Sequence, residues 1–143
     1  MIKTKIVYKG NTYRAAVYQR FEESEKDNFI TKIFHEKYYL KIISDYEEWV
    51  LAGFYTDYSS RYSPRPQFER MIRDCKSGKI DIIIVRSINR FSHDFSEGLK
   101  IIKELAGLSP PVGVYFEEET IFTLNNNAIT LLEKLNELSN PLS

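Results

Sequence analysis

Hydrophobic and polar positions along this chain follow two alternating patterns, one typical of buried strands and one typical of helices. The clearest strand is Ile80–Val85, where five of six residues are β-branched and the run is too uniformly apolar for a sheet edge. Strand-like runs and amphipathic segments alternate around it, at 13–18, 29–43, 49–56, 66–77, 95–105 and 112–116. This order predicts a single α/β domain, a three-layer α/β/α sandwich with a mostly parallel central sheet and Ile80–Val85 in its middle.

Turn and helix-boundary residues add three local expectations. Strand-like residues at 3–8 and 13–18 flank a Lys-Gly-Asn turn, which predicts an antiparallel hairpin near the start of the chain. The last helix is expected to begin near Asn127 and to end before Pro141, because proline removes a backbone donor and clashes inside a helix. In the first helix, the residues expected to share one amphipathic face are Ile30, Ile33, Phe34, Lys37 and Leu40.

Composition limits the classes of protein to which the chain can belong. Its 143 residues, 43% of them hydrophobic, are enough for one domain with a sizeable core. The N-terminus lacks the apolar run of a signal peptide, so the expected compartment is the cytoplasm and no membrane association is expected. With one cysteine, Cys75, and two histidines, His35 and His93, the chain has neither an internal disulfide framework nor the ligands of a zinc site. No cofactor or metal is therefore expected.

Charge is balanced over the whole chain but uneven along it. Twenty Lys and Arg residues offset twenty Asp and Glu residues, whereas a domain that grips DNA on its own normally carries a basic excess. Tight autonomous DNA binding is therefore not expected. Several arginines nevertheless follow one another closely, and two interpretations stay open for them, a phosphate-binding group or ordinary solvated charge. These are Arg61, Arg65, Arg70, Arg73, Arg86 and Arg90.

Four segments of the chain, in order, carry motifs that belong together. Tyr18–Ser24 (YQRFEES) ends a strand in an arginine followed by glutamates, and Arg65–Ile72 reads RPQFERMI. Gly78–Phe91 joins the clearest strand to an Arg-Ser-Ile-Asn-Arg-Phe turn, and Val114–Glu117 with Thr120–Leu124 precedes the last helix. Together these segments resemble the catalytic domain of serine recombinases, the resolvase/invertase family, and especially its large transposon and phage members. The active-site strand of that family is Tyr-x-Arg-Val-Ser-Thr, and its next motif is Arg-Pro-x-Phe-x-x-Met.

The resemblance implies a metal-free reaction on DNA. In serine recombinases a serine hydroxyl attacks a phosphodiester and forms a phosphoserine link, while several arginines surround the phosphate. Fixed guanidinium groups suit this role because the pentacovalent transition state carries extra negative charge. By the resemblance, Arg20, Arg65 and Arg90 occupy three of the arginine positions. The alternative for each is an ordinary surface or ion-paired arginine.

The position of the nucleophilic serine is the first departure from the family pattern. In the register set by Arg20, Glu22 replaces that serine, and a carboxylate would be repelled by a phosphate rather than attack it. Glu23 adds a second negative charge, and the two carboxylates are expected to pair with Arg20. A shifted register would offer Ser24 as the nucleophile, about 6–7 Å of extended chain further on. The prediction is a recombinase fold that has lost strand cleavage, with the use of Ser24 as the alternative.

A second departure follows the third strand, where the family motif Arg-Phe-x-Arg becomes Arg-Phe-Ser-His and ends in His93. A neutral imidazole lacks the permanent charge and forked donors of guanidinium, so the resemblance implies a weakened grip on the phosphate. Two interpretations of His93 stay open. One is a general acid or a pH-sensitive phosphate contact, and the other is a half-exposed histidine at a helix start.

The last helix is the third departure. In the family this helix extends past the catalytic domain, forms dimer and tetramer contacts, crosses the DNA and leads to separate DNA-binding domains. Here Pro141 stops it, so residues 1–143 are expected to form one truncated catalytic domain without a DNA-binding domain. Its apolar face is expected either to pack on the core or to bind a partner helix. That face consists of Leu131, Leu132, Leu135 and Leu138.

Three functional hypotheses follow. The first is an inactive companion of an active recombinase, or a remnant of a mobile element, that associates through the last helix or as a homo-oligomer and binds DNA weakly alone. The second is an active strand-transfer enzyme that uses Ser24, or a nuclease whose magnesium is held by carboxylates such as Glu22, Asp57 and the Glu117–Glu119 run. The third is a phosphate or nucleic-acid binding module that kept the arginines and lost the chemistry.

Overall fold

The strands and helices follow the order that the hydrophobic pattern predicts. The computed structural model describes residues 13–22, 29–58 and 63–139. Its strands are β1 (Tyr13–Phe21), β2 (Trp49–Tyr58), β3 (Ile82–Val85), β4 (Gly113–Phe116) and β5 (Ile121–Phe122). Its helices are α1 (Phe29–Ser44), α2 (Pro66–Lys76), α3 (Ile88–Phe91), α4 (Phe95–Ala106) and α5 (Ala128–Ser139). Each element predicted within the described ranges is present, and the short α3 and β5 are additional.

The sheet is mostly parallel and has the strand order β2-β1-β3-β4-β5. Strand β1 pairs in parallel with β2 and β3, and β3 pairs in parallel with β4, so among the described strands the β4–β5 pair alone is antiparallel. The predicted central position of β3 is therefore confirmed. All four residues of β3 are fully buried, which explains why its sequence shows no polar alternation.

Helices cover both faces of the sheet, as predicted, and form the outer layers of a three-layer sandwich. Because successive side chains on a strand point to opposite faces, each strand contributes to two cores. On one face Ala16 and Tyr18 of β1 pack against α2, α4 and α5. On the other face Ala15 and Val17 pack against α1. The carboxyl end of β1 consequently lies between the two helical layers.

The amphipathic face predicted for α1 is wrong. Tyr39 and Ile43 are its buried residues, whereas Ile30, Phe34 and Leu40 are 63%, 66% and 44% exposed. Large apolar side chains lie all around this helix, so their spacing does not single out one face. Packing decides instead, because Tyr39 and Ile43 fit against the sheet residues of the α1 core.

The predicted N-terminal hairpin is also wrong in the partner that it gives to β1. Residues 3–8 lie outside the described residues. Both edges of β1 are nevertheless occupied, because β2 pairs along all of Tyr13–Phe21 and β3 pairs along Ala15–Tyr18. An antiparallel neighbour along 13–18 is therefore excluded.

The last helix begins within one residue of the predicted Asn127, at Ala128, and Pro141 lies outside the described residues. Its leucine face divides between core and solvent. Leu132 is fully buried, whereas the other three leucines are exposed. Core packing therefore accounts for one of the four leucines, and the exposed ones are Leu131 (47%), Leu135 (37%) and Leu138 (77%).

Helix α2 is capped by a side chain from strand β2. The carboxylate of Asp57 accepts hydrogen bonds from the backbone N–H groups of Gln67 and Phe68, both at 2.9 Å. The same carboxylate accepts the hydroxyl of Tyr18 at 2.9 Å, and burial raises the pKa of Tyr18. One buried carboxylate thus fixes α2 against the ends of two strands.

The single cysteine lies inside the sandwich. Cys75 is 2% exposed on α2, and burial raises the pKa of its thiol to about 12. It is therefore a packing residue with an unreactive thiol. None of the helices in the described part of the chain has both the length and the hydrophobicity that crossing a bilayer requires.

Candidate active site at the carboxyl end of strand β1

Strand β1 carries the polar pair Gln19 and Arg20 just before its last residue, Phe21, where the carboxyl ends of the parallel strands meet. Arg20 is in register with Asp57 at the end of β2. Both are buried, Arg20 with 3% of its surface exposed and Asp57 with 4%. A buried cation is costly unless nearby groups replace the water that it loses. The surroundings of Arg20 therefore define the candidate site.

Arg20 has few partners for a buried guanidinium. Its Nη2 donates to the backbone oxygen of Asn89 at 3.2 Å, and its Nη1 lies 3.7 Å from Oε1 of Glu22. Its Nε and Nη1 are enclosed by protein, and no described residue accepts a hydrogen bond from either. Among the described residues, the site thus contains more buried donors than acceptors, an imbalance that an added acceptor would relieve.

Arg90 and Arg65 are held near Arg20 by backbone carbonyl groups. Nη1 of Arg90 donates to the backbone oxygen of Arg20 at 2.7 Å. Nη1 of Arg65 donates to the backbone oxygen of Phe91 at 2.7 Å, and its guanidinium lies 3.9 Å from the ring centroid of Phe68. Burial, acting with the charges of Arg90 and Arg65, lowers the pKa of Arg20. The three arginines expected to contact phosphate are therefore brought together, and we call them the arginine cluster.

Two helix caps fix the turn that carries Arg90 and His93. Ser87 is the N-cap of α3, and its Oγ accepts a hydrogen bond from the backbone N–H of Arg90 at 3.2 Å. Asp94 caps α4 in the same way, by accepting from the backbone N–H of Glu97 at 3.2 Å. His93 is half-buried between these helices, with its Nε2 enclosed by protein.

Glu22 lies directly after β1, beside the arginine cluster. Its side chain is 46% exposed, while that of Arg20 is 1% exposed. The pair therefore joins a buried cation to a carboxylate that water still screens in part. The predicted pairing of Arg20 with Glu22 is present in the structure. Glu23, Ser24 and Arg61 lie outside the described residues.

The carboxylates considered for a magnesium site have separate partners. Asp57 caps α2, and Glu117 accepts from two tyrosine hydroxyl groups. Glu118 pairs with Arg86, and Glu119 accepts from the first backbone N–H of α3. Within the described ranges, no group of three or more His, Cys, Asp or Glu side chains is arranged to hold a metal ion.

Sequence reasoning missed Gln19, which precedes Arg20 and leaves β1 on the α1 face of the sheet. Its Oε1 accepts the hydroxyl of Thr56 at 3.0 Å, and its Nε2 is buried without an acceptor among the described residues. Gln19 also lines a cleft under α1, together with His35 and Tyr39. A signal was present in the sequence, because a glutamine inside the buried run of β1 is unexpected without a polar partner.

One protein family shares this sequence pattern, and several solved structures share this fold. The sequence matches the family described as "Resolvase, N terminal domain" over residues 15–140. No curated protein matches the sequence.

The structure is similar to the N-terminal catalytic domain of TP901-1 integrase, with 20% sequence identity and a TM-score of 0.64 over 91% of this chain and 98% of that one. It is similar to a resolvase family site-specific recombinase from Streptococcus pneumoniae, with 21% identity and a TM-score of 0.65 over 91% and 89% of the two chains. It is also similar to the C-terminal catalytic domain of ISC1926 TnpA, an IS607-like serine recombinase, with 11% identity and a TM-score of 0.56 over 88% and 98%. At these identities, the structural likeness shows the fold.

Proposed function

We propose that this chain, which belongs to the resolvase N-terminal domain family, is a recombination-related domain that no longer cleaves DNA. One observation carries the proposal. The carboxylate of Glu22 lies 3.7 Å from Nη1 of the buried Arg20, where the family register expects the nucleophile. A group that is itself an anion thus stands beside the cation that would receive the DNA phosphate.

Charge explains why this arrangement disfavours cleavage. An ionised carboxylate repels an approaching phosphate and partly neutralises Arg20, so Glu22 weakens binding of the substrate anion as well as removing the hydroxyl nucleophile. A carboxylate that did attack would form an acyl phosphate, which water hydrolyses readily. Neither outcome leads to the stable phosphoserine link that strand exchange requires.

A role as companion of an active recombinase is supported by helix α5. Leu131 and Leu138 are seven residues apart on one side of this helix and are 47% and 77% exposed. Apolar positions with helical spacing bind partner helices by burying their surface in a shared groove. We propose that α5 makes this contact, with a second copy or with an active recombinase. Such a companion would act where the DNA is, and we propose the cytoplasm as its compartment.

Formation of a covalent protein–DNA adduct tests the loss of cleavage. The full chain is incubated with a pool of random-sequence duplexes, which replaces the unknown target site, and is then separated on a denaturing gel. The wild-type protein is expected to form no adduct. Glu22→Ser restores a hydroxyl beside the arginine cluster and serves as the matched variant, with Glu22→Ala as its control.

An adduct formed by the wild-type chain would overturn the proposal. Its loss in Ser24→Ala would then assign the reaction to Ser24. Association is tested separately by sedimentation, where Leu131→Asp is expected to weaken self-association or binding to an active family member. Asn136→Asp, on another side of the same helix, is the control for added charge.

A second candidate function, a phosphate-binding module, is favoured by the donors of Arg20. Its Nε and Nη1 are buried and have no acceptor among the described residues, and a phosphate oxygen would fill that role. Binding of inorganic phosphate should weaken about tenfold in Arg65→Gln, the loss of one charge-assisted hydrogen bond. Arg73→Gln, an exposed arginine of α2, is the control, and equal effects of the two changes would argue against a specific site.

A further inference from the structure

Helix α1 keeps large apolar side chains on the side that points away from the sheet. Tyr39 and Ile43 are buried against the sheet. Phe34 lies about half a turn around the helix from Ile43, and together with Ile30 it is among the most exposed apolar residues that the structure describes, at 66% and 63%. A helix with apolar residues all around is normally covered on all sides, because apolar surface is unfavourable in water. The outer side of α1 is therefore a candidate contact surface.

Three side chains on this side form a line that we call the α1 stripe. Ile30, Phe34 and Tyr38 follow one another at intervals of four residues, which places them on successive turns of the same side of the helix. Tyr38, the last of the three, is 52% exposed. A partner helix packs along such a line of apolar side chains and buries them.

The α1 stripe ends at a cavity of about 310 Å³, which lies between α1 and the residues that follow β3 and β4. The lining residues are His35, Tyr38, Tyr39, Arg86, Glu117 and Glu118. The arginine cluster contributes nothing to this lining. Two carboxylates and one arginine give the cavity a negative balance of charge, in contrast to the positive charge of the arginine cluster.

Glu117 has acceptor positions to spare in this cavity. Its two carboxylate oxygens each accept one tyrosine hydroxyl, from Tyr38 and from Tyr39. The hydrogen bond to Glu117 raises the pKa of Tyr38 to about 12, so this hydroxyl remains a donor at neutral pH. A carboxylate has about four acceptor positions, so each oxygen of Glu117 can accept one more hydrogen bond. Arg86, the arginine of the lining, donates instead to Glu118 at 2.9 Å.

A guanidinium group fits this cavity better than an ammonium group does. Its parallel N–H groups match the two oxygens of a carboxylate such as Glu117. Its flat face also stacks on an aromatic ring, and the half-exposed ring of Tyr38 lies beside that carboxylate. Charge complementarity and shape therefore both favour an arginine side chain that arrives next to the α1 stripe.

We propose that the α1 stripe and this cavity together bind an amphipathic helix of a protein partner, one that presents apolar side chains followed by an arginine. The apolar side chains cover Ile30 and Phe34, and the arginine enters the cavity, where its guanidinium stacks on Tyr38 and pairs with Glu117. This surface lies on the opposite face of the sheet from α5. The inference therefore holds whether or not α5 binds a partner and whether or not the chain cleaves DNA.

Two short helical peptides of defined sequence test the inference by fluorescence anisotropy with the full chain. Each is built on alanine and glutamine and carries two leucines and one arginine at the spacing of the α1 stripe. The arginine comes last in one peptide and first in the other, which covers both directions of docking. In the matched peptides citrulline replaces arginine, because it has nearly the same shape and no charge.

One arginine peptide is expected to bind at least about tenfold more tightly than its citrulline match, the value of a hydrogen bond between charged groups. Equal binding of the arginine and citrulline peptides would overturn the inference. Absence of binding by both arginine peptides would overturn it as well.

Variants of the chain locate the peptide on its surface. Glu117→Gln keeps the shape of the side chain and removes its charge, so the arginine and citrulline peptides should then bind equally. Phe34→Ser removes the middle of the α1 stripe and should weaken both peptides about tenfold, the value of one buried phenylalanine contact. A preference for arginine that survives in Glu117→Gln, or an affinity unchanged in Phe34→Ser, contradicts the proposal.

Each variant has a matched control on the same protein. Glu69→Gln removes an exposed carboxylate from α2, on the other face of the sheet, and Leu40→Ser removes an exposed leucine from another side of α1. Both controls should bind the peptides as the wild type does. Equal losses in the controls and in the test variants would show nonspecific binding of a basic amphipathic peptide and sink the proposal.

A second copy of this chain is the competing occupant of the α1 stripe. Sedimentation of the wild type, Phe34→Ser and Leu131→Asp distinguishes it from a different partner. Self-association that is lost in Phe34→Ser but kept in Leu131→Asp would assign the α1 stripe to a second copy and overturn the proposal. Sedimentation that Phe34→Ser leaves unchanged supports a different protein as the partner.

Discussion

Gln19 and Arg20 are adjacent residues, yet their side chains follow opposite faces of the sheet. Because side chains alternate along a strand, Arg20 follows the face of Tyr18, whereas Gln19 follows the face of Val17 beneath α1. Both leave buried donors without acceptors among the described residues. Buried donors without acceptors cost about 1–3 kcal/mol each, so an acceptor added at this end of β1 would recover part of that cost.

Gly113 gives a prediction at the scale of one residue. A Cβ atom added there would lie 2.4 Å from Cε1 of the buried Phe122. Gly113→Ala must therefore displace a packed ring, and we expect a loss of about 1–3 kcal/mol in the free energy of unfolding. Urea denaturation measures this loss.

Gly53→Ala is the matched control, since it also places a methyl group in a strand. Its Cβ would lie 3.5 Å from Cε1 of Tyr55, an ordinary contact. The change should leave stability within about 1 kcal/mol of the wild type or raise it slightly. Equal losses in both variants would show that the ring of Phe122 is not the cause.

At the scale of elements, a few buried side chains hold the helices against the sheet. Asp57 on β2 caps α2, and Tyr39 and Ile43 attach α1 to the opposite face of the sheet. These contacts position the segments that carry Arg65 and the α1 side of the cleft. The site is therefore a product of helix docking as much as of strand order.

Asp57→Ala is expected to destabilise the protein by about 2 kcal/mol or more, because two backbone N–H groups of α2 and the buried Tyr18 hydroxyl lose their acceptor. Asp94→Ala removes the cap of α4, a single exposed hydrogen bond to Glu97, and should cost about 1 kcal/mol. The free energies of unfolding in urea provide the comparison. If Asp57→Ala loses no more stability than Asp94→Ala, the carboxylate of Asp57 acts as an ordinary helix cap, and its contact with Tyr18 adds nothing to the free energy of unfolding.

Elements were predictable where a single periodicity dominated. The uniformly β-branched β3 was placed correctly at the centre of the sheet, because only a strand buried on both faces tolerates such a run. The buried face of α1 was not predictable, since its apolar side chains surround the helix and the choice depends on the shape of the sheet. The predicted hairpin partner of β1 was wrong for a related reason. Turn signals are local and do not show that β2 and β3 compete for the same two edges of β1.

At the scale of the whole molecule, an ion pair links β1 to the entry of β3 and makes stability depend on pH. Arg14 donates to both carboxylate oxygens of Asp81, at 3.0 and 3.1 Å. Burial alone would raise the pKa of Asp81, but the hydrogen bonds from Arg14 outweigh it and lower that pKa. The stabilisation is therefore complete above the ordinary pKa of aspartate, about 4, and is lost as the pH falls through the lower folded value.

Asp81→Asn should reduce stability by about 1 kcal/mol at neutral pH and by progressively less as the pH falls below about 4, the ordinary pKa of aspartate. Asp45→Asn is the control, because Asp45 meets Lys41 in an exposed pair at 3.8 Å. Thermal unfolding of the three proteins between pH 2 and pH 7 measures the effect. A loss in Asp81→Asn that does not vary with pH would show that packing, and not the charge, is responsible.

The candidate site was partly predictable because its motifs are local in sequence. Arg20, Arg65 and Arg90 were selected from short patterns, and the structure brings them together, while their contact with phosphate stays a prediction. Gln19 was missed, since its significance comes from Thr56 on β2 and from the packing of α1 over it, and local patterns report neither contact. Sequence patterns identify residue types and local motifs, whereas a cleft is formed by the packing of one element over another.

Because Cys75 is deeply buried, chemical labelling of its thiol can report transient opening of the native structure. With a single thiol that is enclosed and protonated, the native chain should resist maleimides and disulfide reagents, and each modified molecule must first have exposed α2. The rate of thiol labelling therefore measures how often the native structure opens, and no engineered probe is needed. A cysteine introduced on the surface would be the sole fast-reacting handle for a fluorophore or a crosslinker.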